Sequence, residues 1–177
     1  MSAVSAEKQA ARLLHEHSVG GPPVPVERLA ESLGANVIYE SFEGEVSGML
    51  YREDGHSVIG VNSTHARNRQ RFTVAHEIGH LLLHEGKPIF VDSFGGRINL
   101  RDGTSDRQEV EANAFAAELL MPKAFVQRSV NQIVSHRSDV SLSQLVNELA
   151  KSFRVSKESM NYRLQNLGYI DPTPLAN

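Results

Sequence analysis

The sequence contains no cysteine, and this absence excludes disulfide bonds, thiolate metal ligands and a cysteine nucleophile. Any metal ion must therefore be held by nitrogen and oxygen ligands. A long apolar run is missing as well, since no stretch approaches the roughly 18 residues of a membrane-spanning helix. The first twenty residues are polar and lack the apolar segment of a secretory signal peptide, so we expect a cytoplasmic protein.

Neither sign of charge dominates the 177 residues, whose formal net charge is −3. This balance gives no general reason to expect binding to nucleic acid or to an anionic membrane. The hydrophobic content of 40% and the charged content of 22% are typical of a soluble globular protein. The length predicts one domain, with a small appendage at most, and it is sufficient for a real hydrophobic core.

The most informative stretch runs from Thr73 to His84 and is long and apolar enough to form a buried helix. It contains the HExxH pattern, His-Glu-Ile-Gly-His, at residues 76–80. Because residues four apart lie on the same face of a helix, His76 and His80 can bind one Zn²⁺ ion together. Glu77 is close enough to act as a general base towards a water molecule on the open side of the metal.

A catalytic zinc site usually has three protein ligands, and the next strong helix, expected over about residues 105–121, offers Glu109 and Glu111. Asn113 lies one turn after Glu109 on the same face, where it can hydrogen-bond a ligating histidine. Glu111 points about 200° away from Glu109 and is better placed for solvent, so Glu109 is the preferred ligand. Acidic residues are also favoured in the first turn of any helix, which leaves a structural role for both glutamates open.

His84 is the remaining histidine close to this pattern. It lies about 12 Å along the helix axis from His76, which is too far for both to reach one ion comfortably. Its spacing also differs from that of the longer motif HExxHxxGxxH. We therefore expect His84 to support a metal ligand or to pack against the site.

The rest of the chain alternates between helical and strand-like patterns. Apolar spacing predicts helices over residues 5–17, Val26–Leu33, about 64–85 and Pro122 to about Val134. Period-two segments predict a small antiparallel sheet with strands at Asn36–Ser41, Val46–Tyr51 and Ser57–Val61, and Asp54-Gly55 predicts a hairpin. Asn62, Ser63 or Thr64 can cap the metal-bearing helix, and Ser105 with Gln108 has the spacing of a capping box. We interpret residues 88–103 as a loop with one strand, at residues 97–101, that crosses near the metal.

The segment from Ser141 to Ile170 predicts two further helices joined by a short turn, the second starting at Ser156. This pattern is typical of a helix-turn-helix unit. This segment contains four basic and two acidic residues. Its excess of positive charge is smaller than DNA-binding surfaces usually have. We therefore favour a helical pair that packs on the core or helps to hold a protein substrate, with DNA binding as the alternative.

Three stretches together resemble the ImmA/IrrE family of metallopeptidases, and the resemblance spans about residues 20–170. They are RFTVAHEIGHLLLH at residues 71–84, EVEANAFAAELLMP at residues 109–122 and LAKSFRVSKESMNYRL at residues 149–164. The resemblance implies that His76, His80 and Glu109 hold one Zn²⁺ ion and that Glu77 is catalytic. It also implies cleavage of a helix-turn-helix repressor, or of an antitoxin, which derepresses stress-response or mobile-element genes.

With the resemblance, the expected fold class is α+β. A small antiparallel sheet is expected to pack on a mainly helical zincin-like core formed by residues 1–137. Residues 138–177 are expected to form the C-terminal helical unit. Mn²⁺ is the alternative ion, because a site of nitrogen and oxygen ligands also accepts it.

In the expected hydrolysis, Glu77 takes a proton from water and passes it to the departing amine. The developing oxyanion needs a donor besides the metal ion. The sequence offers Tyr51, His136, Tyr162 and Arg163 for this role and does not choose among them. The rival functions are a DNA-binding regulator with a structural metal site and a partner that sequesters a repressor without cutting it.

Overall fold

The computed structural model describes residues 2–53, 55–84, 89–93, 104–137 and 139–171, with only the backbone described for residues 89–93 and 104–106. Within these ranges the chain forms seven helices and one four-stranded sheet. The predicted α+β class, with a small sheet and a mainly helical remainder, is confirmed. None of the described helices is long and apolar enough to cross a membrane.

The helices agree with the predicted ones to within a few residues at each end. They are α1 (Ala3–Glu16), α2 (Val26–Ser32), α3 (Arg67–Leu83), α4 (Thr104–Leu120), α5 (Lys123–His136), α6 (Leu142–Phe153) and α7 (Lys157–Asn166). Pro122 is the N-cap residue of α5, and Ser156 caps α7 by accepting a hydrogen bond from the backbone N–H of Ser159. Both helix starts were predicted from the sequence and are confirmed.

The sheet contains β1 (Ala35–Glu40), β2 (Val46–Glu53), β3 (His56–Asn62) and β4 (Ile89–Ser93), in the spatial order β1-β3-β2-β4. The predicted hairpin joins β2 to β3, with Glu53 opposite His56 and Gly55 at a φ of 80°. The prediction of a wholly antiparallel sheet is wrong for one pair, because β1 and β3 are parallel. Strand β3 follows the hairpin and lies between β2 and β1, antiparallel to β2 and parallel to β1.

Two local predictions around the sheet change in the structure. The fourth strand lies at Ile89–Ser93, antiparallel to β2, whereas the strand expected at residues 97–101 lies outside the described residues. Helix α3 begins at Arg67 with Ala66 as N-cap and has no side-chain cap, so the predicted caps at residues 62–64 are wrong. Asn62 instead donates to the carbonyl of Val46, at the start of β2, at 2.8 Å. The side chain of Ser105, and with it the predicted capping box, lies outside the described residues.

The hydrophobic core is a cluster to which both the sheet and the helices contribute. The sheet contributes Leu50 and Ile59, among others, while α3 contributes Ile78 and α4 contributes Phe115. The C-terminal helices α6 and α7 belong to the same cluster through six side chains: Val146, Leu149, Ala150, Phe153, Met160 and Leu164. The amide of Asn68, in the first turn of α3, also donates to the carbonyl of Val155 at 2.9 Å. The C-terminal helical pair therefore packs on the rest of the chain, and a domain boundary at residue 137 stays a prediction.

A buried arginine joins α7 to two other helices. Arg163 is 4% exposed, and its Nε donates to the carbonyl of Met121 at 3.0 Å. Its guanidinium also pairs with the carboxylate of Glu118 in α4 and lies 3.6 Å from that of Glu7 in α1. Burial raises the pKa of Glu118 despite the nearby arginine, which indicates how costly this carboxylate is to desolvate.

We predict that Arg163→Met lowers the free energy of unfolding by about 3 kcal/mol, because Glu118 loses its cation while it stays buried. The matched control is Arg137→Met, which breaks an ion pair with Glu148 in which both side chains are exposed. Its effect is expected to stay below about 1 kcal/mol. Urea unfolding monitored by circular dichroism measures both values, and equal losses in the two variants would contradict the structural role of Arg163.

Candidate metal centre

Helices α3 and α4 bring His76, His80 and Glu109 together at one point. The Nε2 atoms of the two histidines are 2.9 Å apart, and each lies 3.2 Å from a carboxylate oxygen of Glu109. Each residue offers one ligand atom, and these atoms all lie within 4.8 Å of one another. The two histidines are buried, whereas the Glu109 side chain is 36% exposed, so the cluster is open to solvent on the α4 side.

The spacing and chemistry of these atoms fit a zinc ion. Ligand atoms of a tetrahedral site with bonds of about 2.0–2.1 Å lie about 3.3 Å apart, close to the distances found here. Burial lowers the pKa of His80, which favours the neutral ring that a metal requires. Burial alone would raise the pKa of Glu109, but its hydrogen bonds with His76 and His80 outweigh burial and lower that pKa well below its usual range. Two imidazoles and one carboxylate are a common set of ligands for catalytic zinc.

The ring of His76 is oriented from behind by Asn113. Its Nδ1 lies 3.1 Å from the side-chain oxygen of Asn113, so Nδ1 carries the proton and donates to that oxygen. In the neutral ring Nε2 then presents its lone pair to the cluster. Contacts of this kind fix the orientation of metal-ligating histidines, and this role of Asn113 stays a prediction.

A second chain of contacts orients His80. A carboxylate oxygen of Glu111 lies 3.1 Å from Nε2 of His84, and Nδ1 of His84 lies 3.0 Å from Nδ1 of His80. Because the carboxylate can only accept hydrogen bonds, Nε2 of His84 carries the proton of that ring. Nδ1 of His84 then accepts a hydrogen bond from the Nδ1–H of His80. The lone pair of His80 Nε2 is thereby turned towards the cluster. His84 lies between Glu111 and His80, and its role as the support of a metal ligand stays a prediction.

The prediction that Glu111 faces solvent is wrong, since this residue is 3% exposed and also accepts from Arg107 Nε at 3.1 Å. The side of α4 away from Glu109 contacts His84, which is the C-cap of α3 and has extended backbone at φ −126° and ψ 107°. Its side chain therefore leaves the direction that the helix would give it. The spacing of four residues from His80 to His84 is the signal that indicates a supporting histidine.

Two positions on β2 also shape the site, and local sequence gave no sign of either. Arg52 donates to the carbonyls of His80 at 2.6 Å and His84 at 2.8 Å, so it caps the C-terminal end of α3 with a positive charge. Gly48 faces Glu77, which is fully buried. A Cβ atom at Gly48 would lie 2.3 Å from Cγ2 of Thr73 and 3.2 Å from Oε1 of Glu77. The strand can therefore pass this close to the helix only with glycine at residue 48.

The four side chains considered as oxyanion donors have their described contacts elsewhere. Successive side chains of a strand point to opposite faces of the sheet, so Tyr51 faces away from α3, whereas Leu50 and Arg52 face it. The hydroxyl of Tyr51 donates to Glu53 at 2.6 Å. His136 bonds the carbonyl of Gln132 within its own helix, and Tyr162 is 47% exposed on α7. Arg163 is held in the buried ion pair described above. The structure therefore does not bring these four residues to the metal cluster.

Comparison with known proteins gives several matches to this chain. A peptidase family model described as the IrrE N-terminal-like domain matches residues 30–165. Uncharacterized immunity region protein 2 of Bacillus phage phi105 is 31% identical over 120 residues, which cover 68% of this chain and 70% of that protein. Metallopeptidase ImmA of Bacillus subtilis is 23% identical over 154 residues, covering 81% of this chain and 83% of that protein.

Two longer proteins match over part of their length. Radiation response metalloprotease IrrE of Deinococcus radiodurans is 32% identical over 111 residues, which cover 62% of this chain and 31% of that protein. A solved structure described as a Mycobacterium tuberculosis transcriptional regulator superimposes with a TM-score of 0.58 at 18% identity. It covers 91% of this chain, whereas this chain spans 47% of that one. At this identity the likeness concerns the fold alone.

We predict that Gly48→Ala destabilises the protein by about 1–3 kcal/mol, because the added methyl group overlaps Thr73 and crowds Glu77. Gly20→Ala is the matched control, since no atom lies within 4 Å of a Cβ added there. Its effect is expected within about 0.5 kcal/mol of zero. Thermal unfolding by calorimetry measures both, and a Gly48 variant as stable as the wild type would contradict the close approach of β2 to α3.

Proposed function

The chain belongs to the peptidase family of the IrrE N-terminal-like domain, which includes named metallopeptidases, and we propose that it is a zinc-dependent endopeptidase. Its proposed substrate is a helix-turn-helix repressor or an antitoxin, cut at one site so that stress-response or mobile-element genes are derepressed. The convergence of His76, His80 and Glu109 beside Glu77 is the observation that carries the proposal.

In this proposal His76, His80 and Glu109 hold the ion, with Asn113 and His84 keeping the two rings in position. Zinc, when bound, supplies a Lewis acid that polarises the scissile carbonyl and makes water more acidic. The partial exposure of Glu109 supports access from solvent at this edge of the cluster. A structural zinc site is usually closed by four protein ligands, whereas three converge here among the described residues.

Glu77 is the proposed general base. It follows His76 on α3, and its burial against β2 restricts where its carboxylate can point. In the hydrolysis, the oxygen of water bonds to the carbonyl carbon while Glu77 takes the proton. Glu77 then gives this proton to the amide nitrogen as the carbon–nitrogen bond breaks.

The proposed substrate class rests on the family and on what the relatives are called. One matching protein belongs to a phage immunity region and another is named for the radiation response. For the rival DNA-binding function, the C-terminal unit offers less basic surface than its sequence indicates. Of its four basic residues, Arg163 is buried in an ion pair, which leaves three exposed basic side chains on this unit. The burial of Arg163 favours the protease over the DNA-binding function.

We predict that Glu77→Gln abolishes cleavage while zinc content stays at one ion per chain, because the variant loses the base and keeps the ligands. Purified protein is incubated with zinc and with a helix-turn-helix protein encoded beside its gene, and fragments are identified by mass spectrometry. Cleavage by the variant at the wild-type rate would exclude Glu77 as the base. A biological effect that survives this substitution unchanged would favour sequestration of the repressor instead.

We predict that Glu109→Ala loses zinc, whereas Glu111→Gln keeps it with an affinity lowered about 10- to 100-fold. Glu109 lies next to both histidine Nε2 atoms, but Glu111 contacts His84, which in turn contacts His80. Glu158→Ala, at an exposed residue of α7, is the control and should bind zinc as the wild type does. Elemental analysis and competition with a chromogenic chelator measure content and affinity. Full zinc binding by Glu109→Ala would remove this residue from the ligand set.

A further inference from the structure

A cavity of about 280 Å³ lies beside the first turns of α3, where three arginines, Arg67, Arg71 and Arg154, contribute to its lining. We propose that this cavity binds a small phosphate-bearing anion. The volume lies just below the range of about 300–1,000 Å³ that is usual for ligand sites, which favours a small ligand. Planar guanidinium groups bind phosphate through paired hydrogen bonds, and several converging on one cavity are typical of phosphate recognition.

The charge of the lining matches a phosphate monoester. Three arginines stand against one carboxylate, Glu27, so the lining carries a net charge of +2. A phosphate monoester carries about −1.5 to −2 at neutral pH. Glu27 itself accepts a hydrogen bond from the hydroxyl of Tyr39 at 3.1 Å, which engages one of its carboxylate oxygens.

Arg67 is the first residue of α3, at the end of the helix where positive charge is least favourable, and Arg71 follows one turn later. The N-terminus of a helix is the positive end of its dipole, yet the first turn of α3 contains no acidic residue and has no side-chain cap. Nε of Arg71 is buried and has no hydrogen-bond partner among the described residues, while its Nη2 donates to the carbonyl of Val24 at 2.8 Å. Burial lowers the pKa of Arg71, while the charge of Glu27 raises it and that of Arg154 lowers it. A bound anion would offset this crowding of positive charge.

Arg154 reaches the cavity from the turn between α6 and α7. It is the C-cap of α6 and has left-handed backbone, with φ and ψ both 52°. Glycine is the residue favoured in this conformation, so backbone geometry does not explain an arginine here. The same turn is tied to α3 by the hydrogen bond from Asn68 to Val155. A ligand in the cavity would therefore contact both α3 and the C-terminal helical pair.

The cavity is separate from the metal cluster. At about 100° per residue, Arg71 points about 140° away from His76 around α3, and Arg67 points about 180° away. The two sites thus lie on opposite sides of one helix. The anion site is accordingly independent of the proposed peptidase activity, and its test needs no substrate protein.

The test is binding of inorganic phosphate and of adenosine 5′-monophosphate to the full chain, measured by isothermal titration calorimetry and by thermal unfolding. Sodium chloride at equal ionic strength corrects for general salt effects, and citrate tests whether carboxylates bind equally well. We expect saturable binding of phosphate or the nucleotide, with a higher unfolding temperature. Tighter binding of the nucleotide identifies nucleotides as the source of the phosphate group, whereas equal binding identifies free phosphate.

Arg154→Gly is the decisive variant, because glycine suits the left-handed backbone while the guanidinium is lost. Without ligand it should unfold at the wild-type temperature or above, and its phosphate affinity should fall about tenfold or more. Two control variants separate the effects of this substitution. Ser18→Gly places glycine at the other described non-glycine residue with positive φ, and Arg12→Gln removes one positive charge away from the cavity. Both controls should bind phosphate normally, as should Glu109→Ala, which alters the metal cluster.

Three results would overturn the proposal. The first is the absence of saturable binding of phosphate and of the nucleotide. The second is wild-type phosphate affinity in Arg154→Gly, or citrate binding as tight as phosphate binding. The third is binding of duplex DNA that depends on Arg154 without any binding of the small anions, which would assign the arginines to a nucleic acid.

Discussion

The close crossing of α3 and α4 at Gly79 is the contact on which the metal cluster depends. A Cβ atom at Gly79 would lie 3.1 Å from the Cα of Ala112 and 3.3 Å from its carbonyl oxygen. With glycine in α3 and alanine in α4, the two backbones approach closely enough for Glu109 to reach His76 and His80. Glycine in a helix interior lowers helix stability by about 1 kcal/mol relative to alanine, and here it allows a close helix crossing.

The same crossing explains how polar groups are accommodated on a helix that is buried along Thr73–His80 without interruption. Helix α4 supplies a partner for each histidine: Asn113 for His76, and Glu111 for His80 by way of His84. Buried imidazoles would be destabilising without such partners. Because these partners fix which ring nitrogen carries the proton, packing and ligand geometry come from the same set of contacts.

Sequence patterns predicted those parts of the fold that local physics determines. Pro122 and Ser156 start their helices where proline and serine favour a start, and the spacing of His76 and His80 follows from the helical repeat alone. The parallel pairing of β1 with β3 was missed because strand order depends on where the hairpin packs and not on the residues of either strand. Arg163 was considered as an oxyanion donor because nothing near it in sequence shows that Glu118, 45 residues away, lies beside it.

Glu111 shows the same limit within the site itself. Helical periodicity placed it correctly on the side of α4 away from Glu109, yet that side is not solvent, because the chain leaves α3 at His84 with extended backbone. The environment of this side chain therefore depended on where another helix ended.

The arginines of α3 are the opposite case, because local rules disfavour them and the chain nevertheless contains them. Arg67 and Arg71 stand near the N-terminus of α3, where the helix dipole disfavours positive charge. Charges placed where local rules disfavour them point to a ligand, and Arg67, Arg71 and Arg154 meet in the cavity beside α3.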